Sequence, residues 1–230
     1  MLDKDTSIID NTIPRPSTLL RGMAVSARRV LWCCLVLFPV AVSAAGDRMR
    51  DVRLQDVAGH PRAPFATGTS ASVAFFVATD CPVSNGYAPE IQRVCREYGS
   101  RGVSCTLIYE DVDTAATPAT LDRQVRAHLD EFKYGEMPAT IDRHRTAAGA
   151  VKATITPTAV VVDHAGAIRY RGRIDNLYAA LGKPRQQITS HDLRDALDAV
   201  LSGRAVPRAE TEAIGCFITD PALLRTHSHE

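Results

Sequence analysis

Apolar and polar positions along the chain switch between two periods, and the switches mark strands alternating with helices. Val52, Leu54 and Val57 alternate with polar residues in 51–65, and Gly59-His60-Pro61 interrupts them, which predicts a short hairpin. The unbroken run Ser72-Val73-Ala74-Phe75-Phe76-Val77-Ala78 predicts a central strand, residues 72–78. After Cys81 the spacing becomes helical, with Tyr87, Ile91, Val94, Cys95 and Tyr98 on one face. Pro89 removes a backbone bond inside this helix and bends it, and Gly99 and Gly102 bracket its end.

The alternation then resumes. Val103, Cys105, Leu107 and Tyr109 share one side of a strand, and Thr117-Pro118 starts a helix as cap and first position, with Leu121, Val125, Leu129 and Phe132 as its buried stripe. Ala139-Thr140-Ile141-Asp142 reads as a short strand and 143–150 as a short helix. Strands at 158–163 and 167–172 are joined by the turn His164-Ala165-Gly166. Pro157, directly ahead of the first, is well placed for a cis turn. Thr189, with Asp192 three residues on, is the expected cap of a last helix whose apolar face is Leu193, Ala196, Leu197, Val200 and Leu201. Strands interleaved with helices and ending in a hairpin give an α/β domain with a mixed central sheet flanked by helices.

Residues 1–45 stand apart from this pattern. Arg28-Arg29, the apolar run Val30 to Val42 and the small exit Ser43-Ala44-Ala45 predict a secretory signal peptide, with Met23 a plausible true start and cleavage near Ala44 or Ala45. The apolar run is shorter than the roughly twenty residues of a membrane-spanning helix, so contact with a membrane is expected only through this segment if it stays uncleaved. About 185 residues remain, enough for one domain. The division is then a domain over 50–204 and a C-terminal extension over 205–230. From residue 46 on the chain carries 22 basic and 23 acidic groups, a balance that argues against nucleic acid as a partner.

Of the six cysteines, Cys33 and Cys34 lie in the apolar run; the four beyond residue 45, Cys81, Cys95, Cys105 and Cys216, each need a separate reading in an exported protein. Cys81 follows a buried strand and precedes Pro82 at a helix start. There the unpaired backbone N–H groups and the positive end of the helix dipole favour a thiolate, opposed in part by the charge of Asp80. Cys95 lies fourteen residues along the same helix, roughly 21 Å away at about 1.5 Å per residue, too far for a disulfide with Cys81. Cys95 and Cys105 each occupy an apolar face and are read as core, with a mutual bridge open if the helix packs over the strand. Cys216 lies beyond the last helix, in Ile214-Gly215-Cys216-Phe217-Ile218. Either a returning tail brings it over Cys81 as a resolving cysteine, or the tail merely seals the core.

A strand, Cys81-Pro82 at a helix start, Pro89 eight residues on and a late Thr156-Pro157 before an apolar strand together resemble the thioredoxin superfamily. Asp80-Cys81-Pro82-Val83-Ser84-Asn85, Tyr170-Arg171-Gly172-Arg173-Ile174-Asp175, His191-Asp192-Leu193-Arg194-Asp195-Ala196-Leu197 and Gly215-Cys216 are similar to the redoxin family, in its peroxiredoxin-like branch. The resemblance covers about residues 50–218. It implies a thioredoxin-like fold with an N-terminal hairpin and a C-terminal tail, a cis-proline loop at Thr156-Pro157 with Thr156 orienting substrate, and Cys81 as nucleophile. Where thioredoxins have a second cysteine, three residues on, this chain has Ser84. Where peroxiredoxins carry a hydroxyl residue, three before the cysteine, it has Ala78, so Thr79 or Ser84 would have to substitute.

Arg171 and Arg173 are candidates to hold a positive charge near the thiolate, and Asn85 and Tyr87 to line the mouth. The expected activity is an exported thiol-dependent oxidoreductase in which Cys81 attacks a disulfide or a peroxide, recycled by an external reductant and needing no metal, flavin or nucleotide. A thioredoxin-fold binding or chaperone module with a degenerate site is the first rival. The second is a copper or haem-maturation accessory protein, although Asn85 stands where copper-carrying relatives have a second cysteine, and His227 and His229 close the chain.

Overall fold

The computed structural model describes residues 49–65, 68–111 and 117–219. The proposed signal segment and the pair His227 and His229 lie outside the described residues. The main sheet has seven strands in the order β2-β1-β5-β4-β3-β7-β8: β1 Leu54–Asp56, β2 Pro61–Arg62, β3 Ala71–Val77, β4 Val103–Tyr109, β5 Ala139–Ile141, β7 Thr158–Asp163 and β8 Ile168–Gly172. β3, β4 and β5 run parallel, while β7, β8 and the β1–β2 hairpin add antiparallel edges. All seven residues of β3 are buried, which is why the apolar run at 71–77 does not alternate: both of its faces are covered.

Among the described residues the sheet is covered by α1 Pro82–Gly99, α2 Pro118–Glu131, α3 Thr146–Val151 and α4 Asp192–Leu201. On one face Val73, Phe75 and Val77 pack with Tyr87, Ile91 and Tyr98 of α1, Leu121 and Val125 of α2 and Leu193 and Leu197 of α4. On the other, Ala74, Phe76 and Val160 pack with Ala147, Ala148 and Val151 of α3. Each fully buried Phe or Leu contributes about 1.5–3 kcal/mol through removal of apolar surface from water. This two-sided packing fixes the strand ends from which the site is built.

One helix start and one expected cap differ in the structure. α3 begins at Thr146 because the Asp142 carboxylate accepts from the backbone N–H groups of Thr146, Ala147 and Ala148 at 2.8 to 2.9 Å, satisfying three orphan donors at once. Thr189 does not cap α4. Its hydroxyl accepts from Asn176 Nδ2 at 2.7 Å, and Asn176 Oδ1 accepts from the Thr189 and Ser190 N–H groups, so the amide holds this loop and the helix starts three residues later, at Asp192. Two short pairs were not foreseen: β9 Tyr178–Ala180 with β10 Lys183–Pro184, and β6 Ile155–Thr156 with β11 Cys216–Phe217.

Cys95 and Cys105 form a disulfide with Cα atoms 5.9 Å apart, tying α1 to β4. The two cysteines are bridged and not merely core residues, because α1 packs over β4. Closing a loop of this length removes enough unfolded-chain entropy to stabilise by about 2–3 kcal/mol. A Cys95→Ala, Cys105→Ala protein is therefore expected to melt roughly 5–10 °C lower with its Cys81 chemistry unchanged. An unaltered melting temperature in thermal unfolding would show the bridge carries no stability.

Candidate functional site

β3 ends at Val77, and Ala78-Thr79-Asp80 turn the chain into α1, with the Cys81 N–H donating to the Ala78 carbonyl at 3.3 Å. Cys81 is the N-cap of α1, with extended backbone and Pro82 in the first turn. A proline there forfeits no helical bond, so the sequence Cys81-Pro82 starts the helix cleanly. The Ser84 N–H donates to Cys81 Sγ at 3.4 Å, the role a serine or aspartate oxygen plays in an ordinary cap. As a thiol, Cys81 donates to the Thr156 carbonyl at 3.2 Å, across a Thr156-Pro157 peptide bond that is cis. Cys81 is 0% exposed.

The C-terminal tail closes over this sulfur. It is laid first along β8, where Arg171 N–H donates to Ala209 O, Thr211 N–H donates to Arg171 O and the Tyr170 and Thr211 hydroxyls lie 2.6 Å apart. β11 then pairs antiparallel with β6, Cys216 opposite Thr156 and Phe217 opposite Ile155. Beyond it Ile218 N–H donates to Thr154 O, and Arg145, itself paired with the buried Glu110, donates to Thr219 O at 2.9 Å through Nε. Two glycines permit the crossing. A Cβ on Gly215 would collide with the Thr156 carbonyl and reach 3.1 Å from Pro157 Cδ, and one on Gly172 would collide with Thr211.

Cys216 is thereby brought against Cys81, and both are free thiols. Burial pushes the Cys81 thiol up, but hydrogen bonds from Cys216, from Ser84 and from Thr156 outweigh it, so Cys81 ionises below an ordinary thiol. Cys216 is the reverse: burial, its bond to Cys81 and the charges of Cys81 and Asp80 push it up to about 12. The Cys216 thiol favours the Cys81 thiolate, and the two groups titrate as a pair. In the reduced protein, ultraviolet titration of the thiolates is expected to give two separated steps, one below and one well above the usual thiol range. In Cys216→Ala the lower step should move up, because its largest stabilising bond is gone. A single step near the ordinary value in both proteins would contradict the pairing.

The remaining candidates sort by what they touch. Ser84 is buried, and its hydroxyl, which has no hydrogen-bond partner of good geometry among the described residues, lies close enough to favour the Cys81 thiolate. Thr79 turns away: its hydroxyl donates to Asp111 Oδ1 at 2.5 Å and accepts from Gln124 at 2.7 Å. Asn85 holds the turn, its Nδ2 donating to Thr79 O at 3.1 Å and its N–H to Cys81 O at 3.0 Å. Arg173 comes to the Pro157 side, where it lines a small cavity with Tyr87, Tyr178 and Ile214, but its Nε is bound to Asp192 Oδ2 at 2.7 Å. Arg171 is spent on Val151 O and Glu210. The expectation of an arginine charge at the thiolate is not met, because Asp192 and Glu210 claim both guanidinium groups. Tyr87 likewise donates to Asp175 Oδ1 at 2.6 Å.

His128 was missed by the sequence reading. It is buried, and burial lowers its pKa to about 4, so the ring is neutral. Asn85 Nδ2 donates to Thr79, so Asn85 Oδ1 is free to accept the Nε2–H of His128 at 2.8 Å, and Nδ1 accepts from Tyr109 at 2.9 Å. This chain of bonds fixes the first turn of α1 to β4. His128 occupies the slot i+7 from Leu121 on the α2 stripe, and that spacing was the available signal.

No protein-family model matches the chain, and no curated protein matches it. Among solved structures it is similar to a hypothetical protein from Sinorhizobium meliloti, at 28% identity over 74% of this chain and 91% of that one, with TM-score 0.63. It is similar also to an uncharacterized conserved protein from Geobacillus kaustophilus, at 28% identity over 74% and 88%, with TM-score 0.62. A secreted Mycobacterium tuberculosis disulfide oxidoreductase aligns at 14% identity over 68% and 98%, with TM-score 0.46, too slight a likeness to bear on function. A mixed sheet flanked by helices, with a cysteine at the start of α1 facing a cis-proline loop, makes this a protein of thioredoxin-like fold.

Proposed function

We propose that the protein is an exported thiol-disulfide oxidoreductase whose redox pair is Cys81 and Cys216. The observation that carries this reading is the pairing of β11 with β6, which sets the Cys216 thiol against a Cys81 whose ionisation is favoured. Cys81 is the nucleophile. Its thiolate attacks one sulfur of a substrate disulfide, the other sulfur leaves as a thiol, and Cys216 then attacks Cys81 in the mixed disulfide to free the second half. The substrate is reduced and the protein keeps a Cys81–Cys216 disulfide, which an external thiol returns to the dithiol. Ser84, Asn85, Thr156 and Pro157 hold Cys81 in place, and Arg173 braces the Pro157 side through Asp192. The Cys95–Cys105 disulfide suits an oxidising compartment and supports the signal-peptide reading of the amino terminus.

Turnover of a small disulfide with a dithiol reductant tests this. The wild type is expected to turn over, and Cys216→Ser to turn over slowly, the substrate half accumulating as a mixed disulfide at Cys81 until the reductant frees it. Equal turnover by both would remove Cys216 from the cycle. A peroxide as oxidant is the second reading, favoured by the buried Ser84 hydroxyl, whose bond favours the Cys81 thiolate, and by a sulfur sealed from bulky reagents. It gives a sulfenic acid at Cys81 and then the same disulfide, with loss of water. Ser84→Ala should then slow the peroxide reaction more than disulfide exchange, and equal slowing would leave the disulfide as the substrate.

A further inference from the structure

We infer that Arg145 is the catch that holds the tail closed over Cys81, and that it positions Cys216 for the second half of the cycle without touching either sulfur. The inference rests on the redox-pair reading above and adds what brings the tail back. Cys81 is 0% exposed beneath the tail, so a substrate disulfide reaches it only when the tail moves aside. Cys216 can attack only when the tail returns.

The tail is pinned at two points with Cys216 between them. Upstream, Thr211 N–H donates to Arg171 O on β8. Downstream, three residues past Cys216, the Thr219 carbonyl accepts from Arg145 Nε at 2.9 Å and from Nη2 at 2.6 Å. The third guanidinium nitrogen, Nη1, donates to Glu110 Oε2. The Glu110 side chain is fully buried, and its backbone N–H donates at 2.8 Å to the carbonyl of Val77, the last residue of β3 before the turn to Cys81. A planar guanidinium makes both sets of bonds at once, so Arg145 ties the strand end that carries Cys81 to the chain just beyond Cys216.

Neither α3 nor the buried acid accounts for an arginine at this position. Arg145 precedes α3 but makes no side-chain cap, a role that Asp142 fills. Its φ is 58°, in the left-handed region that glycine enters freely and an arginine rarely. Pairing with Glu110, which the Asp142 carboxylate also faces, occupies one nitrogen. The other two are aimed at the backbone of an exposed tail residue.

The catch acts on the two halves of the cycle with opposite sign. In the first, the Cys81 thiolate attacks a substrate sulfur, the substrate disulfide breaks and one half leaves as a thiolate; a closed tail hinders this. In the second, Cys216 attacks Cys81 Sγ and the bond from Cys81 to the substrate breaks. The remaining half leaves with the electron pair and takes up the proton that Cys216 gives up. Weakening the catch speeds the first step and slows the second, a division that a residue serving stability alone does not produce.

The test is rapid mixing of the reduced protein with one equivalent of dithiobis(nitrobenzoate), which releases one coloured thiolate on attack by Cys81 and another on closure with Cys216. The variant combines Glu110→Gln with Arg145→Gly. It leaves no unpaired carboxylate at position 110 and suits the left-handed backbone at 145, so the fold should persist. The first release is expected about tenfold faster and the second about tenfold slower, the population shift that follows loss of a hydrogen bond to a charged donor. Arg145→Lys keeps a charge beside Glu110 but lacks the planar fork, and should shift both rates in the same directions by less. Rates that do not move in opposite directions overturn the inference while leaving the redox pair standing. If the wild type releases a single thiolate and peptide mass mapping finds no Cys81–Cys216 disulfide, the redox-pair reading falls together with the inference.

Discussion

Replacing Cys81 with serine is expected to abolish disulfide exchange, a loss of about a thousandfold or more, because a hydroxyl at this position stays protonated where the thiol ionises. The fold should survive. Serine is a good N-cap and can accept the Ser84 N–H that now reaches Cys81 Sγ, so stability is expected to change by no more than about 1 kcal/mol. Turnover of a small disulfide, read beside a thermal melt, separates the two effects. Retained turnover with an intact melt would mean that Cys81 is not the nucleophile and is only a buried small hydrophobe.

The second large effect is predicted at a residue that carries no chemistry. Gly215 passes so close to the cis-proline loop that a methyl group there collides with the Thr156 carbonyl, so Gly215→Ala must lift the tail off β6. The ladder that holds Cys216 opposite Thr156 is then broken, although the anchor along β8 at Ala209 and Thr211 remains. Displacing a reacting group by an ångström costs on the order of a hundredfold in rate, and closure of the Cys81–Cys216 disulfide should slow by about that factor. Cys81 loses its cover at the same time. It should accumulate as a mixed disulfide and react faster with an alkylating reagent, which distinguishes a lifted tail from a damaged active site. Closure kinetics like the wild type's would mean that the tail does not need the Thr156 edge.

The order of strands and helices was legible in the sequence, because burial on one face or two leaves a period that survives without coordinates. β3 and β4 appear within a residue of where their apolar runs place them, and α1 starts where Cys81-Pro82 says it must. The caps were less legible. Thr189 looked like the cap of α4, but Asn176, thirteen residues earlier, competes for the same loop, and a competitor from another segment leaves no local trace. The site divides in the same way. Cys81 and the Thr156-Pro157 loop are announced by their own neighbours, whereas the position of Cys216 depends on a tail whose two short pairings, with β8 and with β6, are too brief to show a period. Gly215 was visible as a residue, but its necessity comes from the approach of another backbone. The arginines illustrate the converse error: Arg171 and Arg173 stand near the right strand end, and only the positions of Glu210 and Asp192 reveal that their charges are already taken.

The central claim is that Cys81 and Cys216 form one redox pair while Cys95 and Cys105 stand outside it. Peptide mass mapping of the protein after one equivalent of oxidant, with free thiols blocked before digestion, tests it most directly. The predicted result is a Cys81–Cys216 disulfide, with Cys95 and Cys105 joined to each other before and after oxidation. Blocked thiols at both Cys81 and Cys216, or a disulfide joining Cys81 to any other cysteine, would contradict the account.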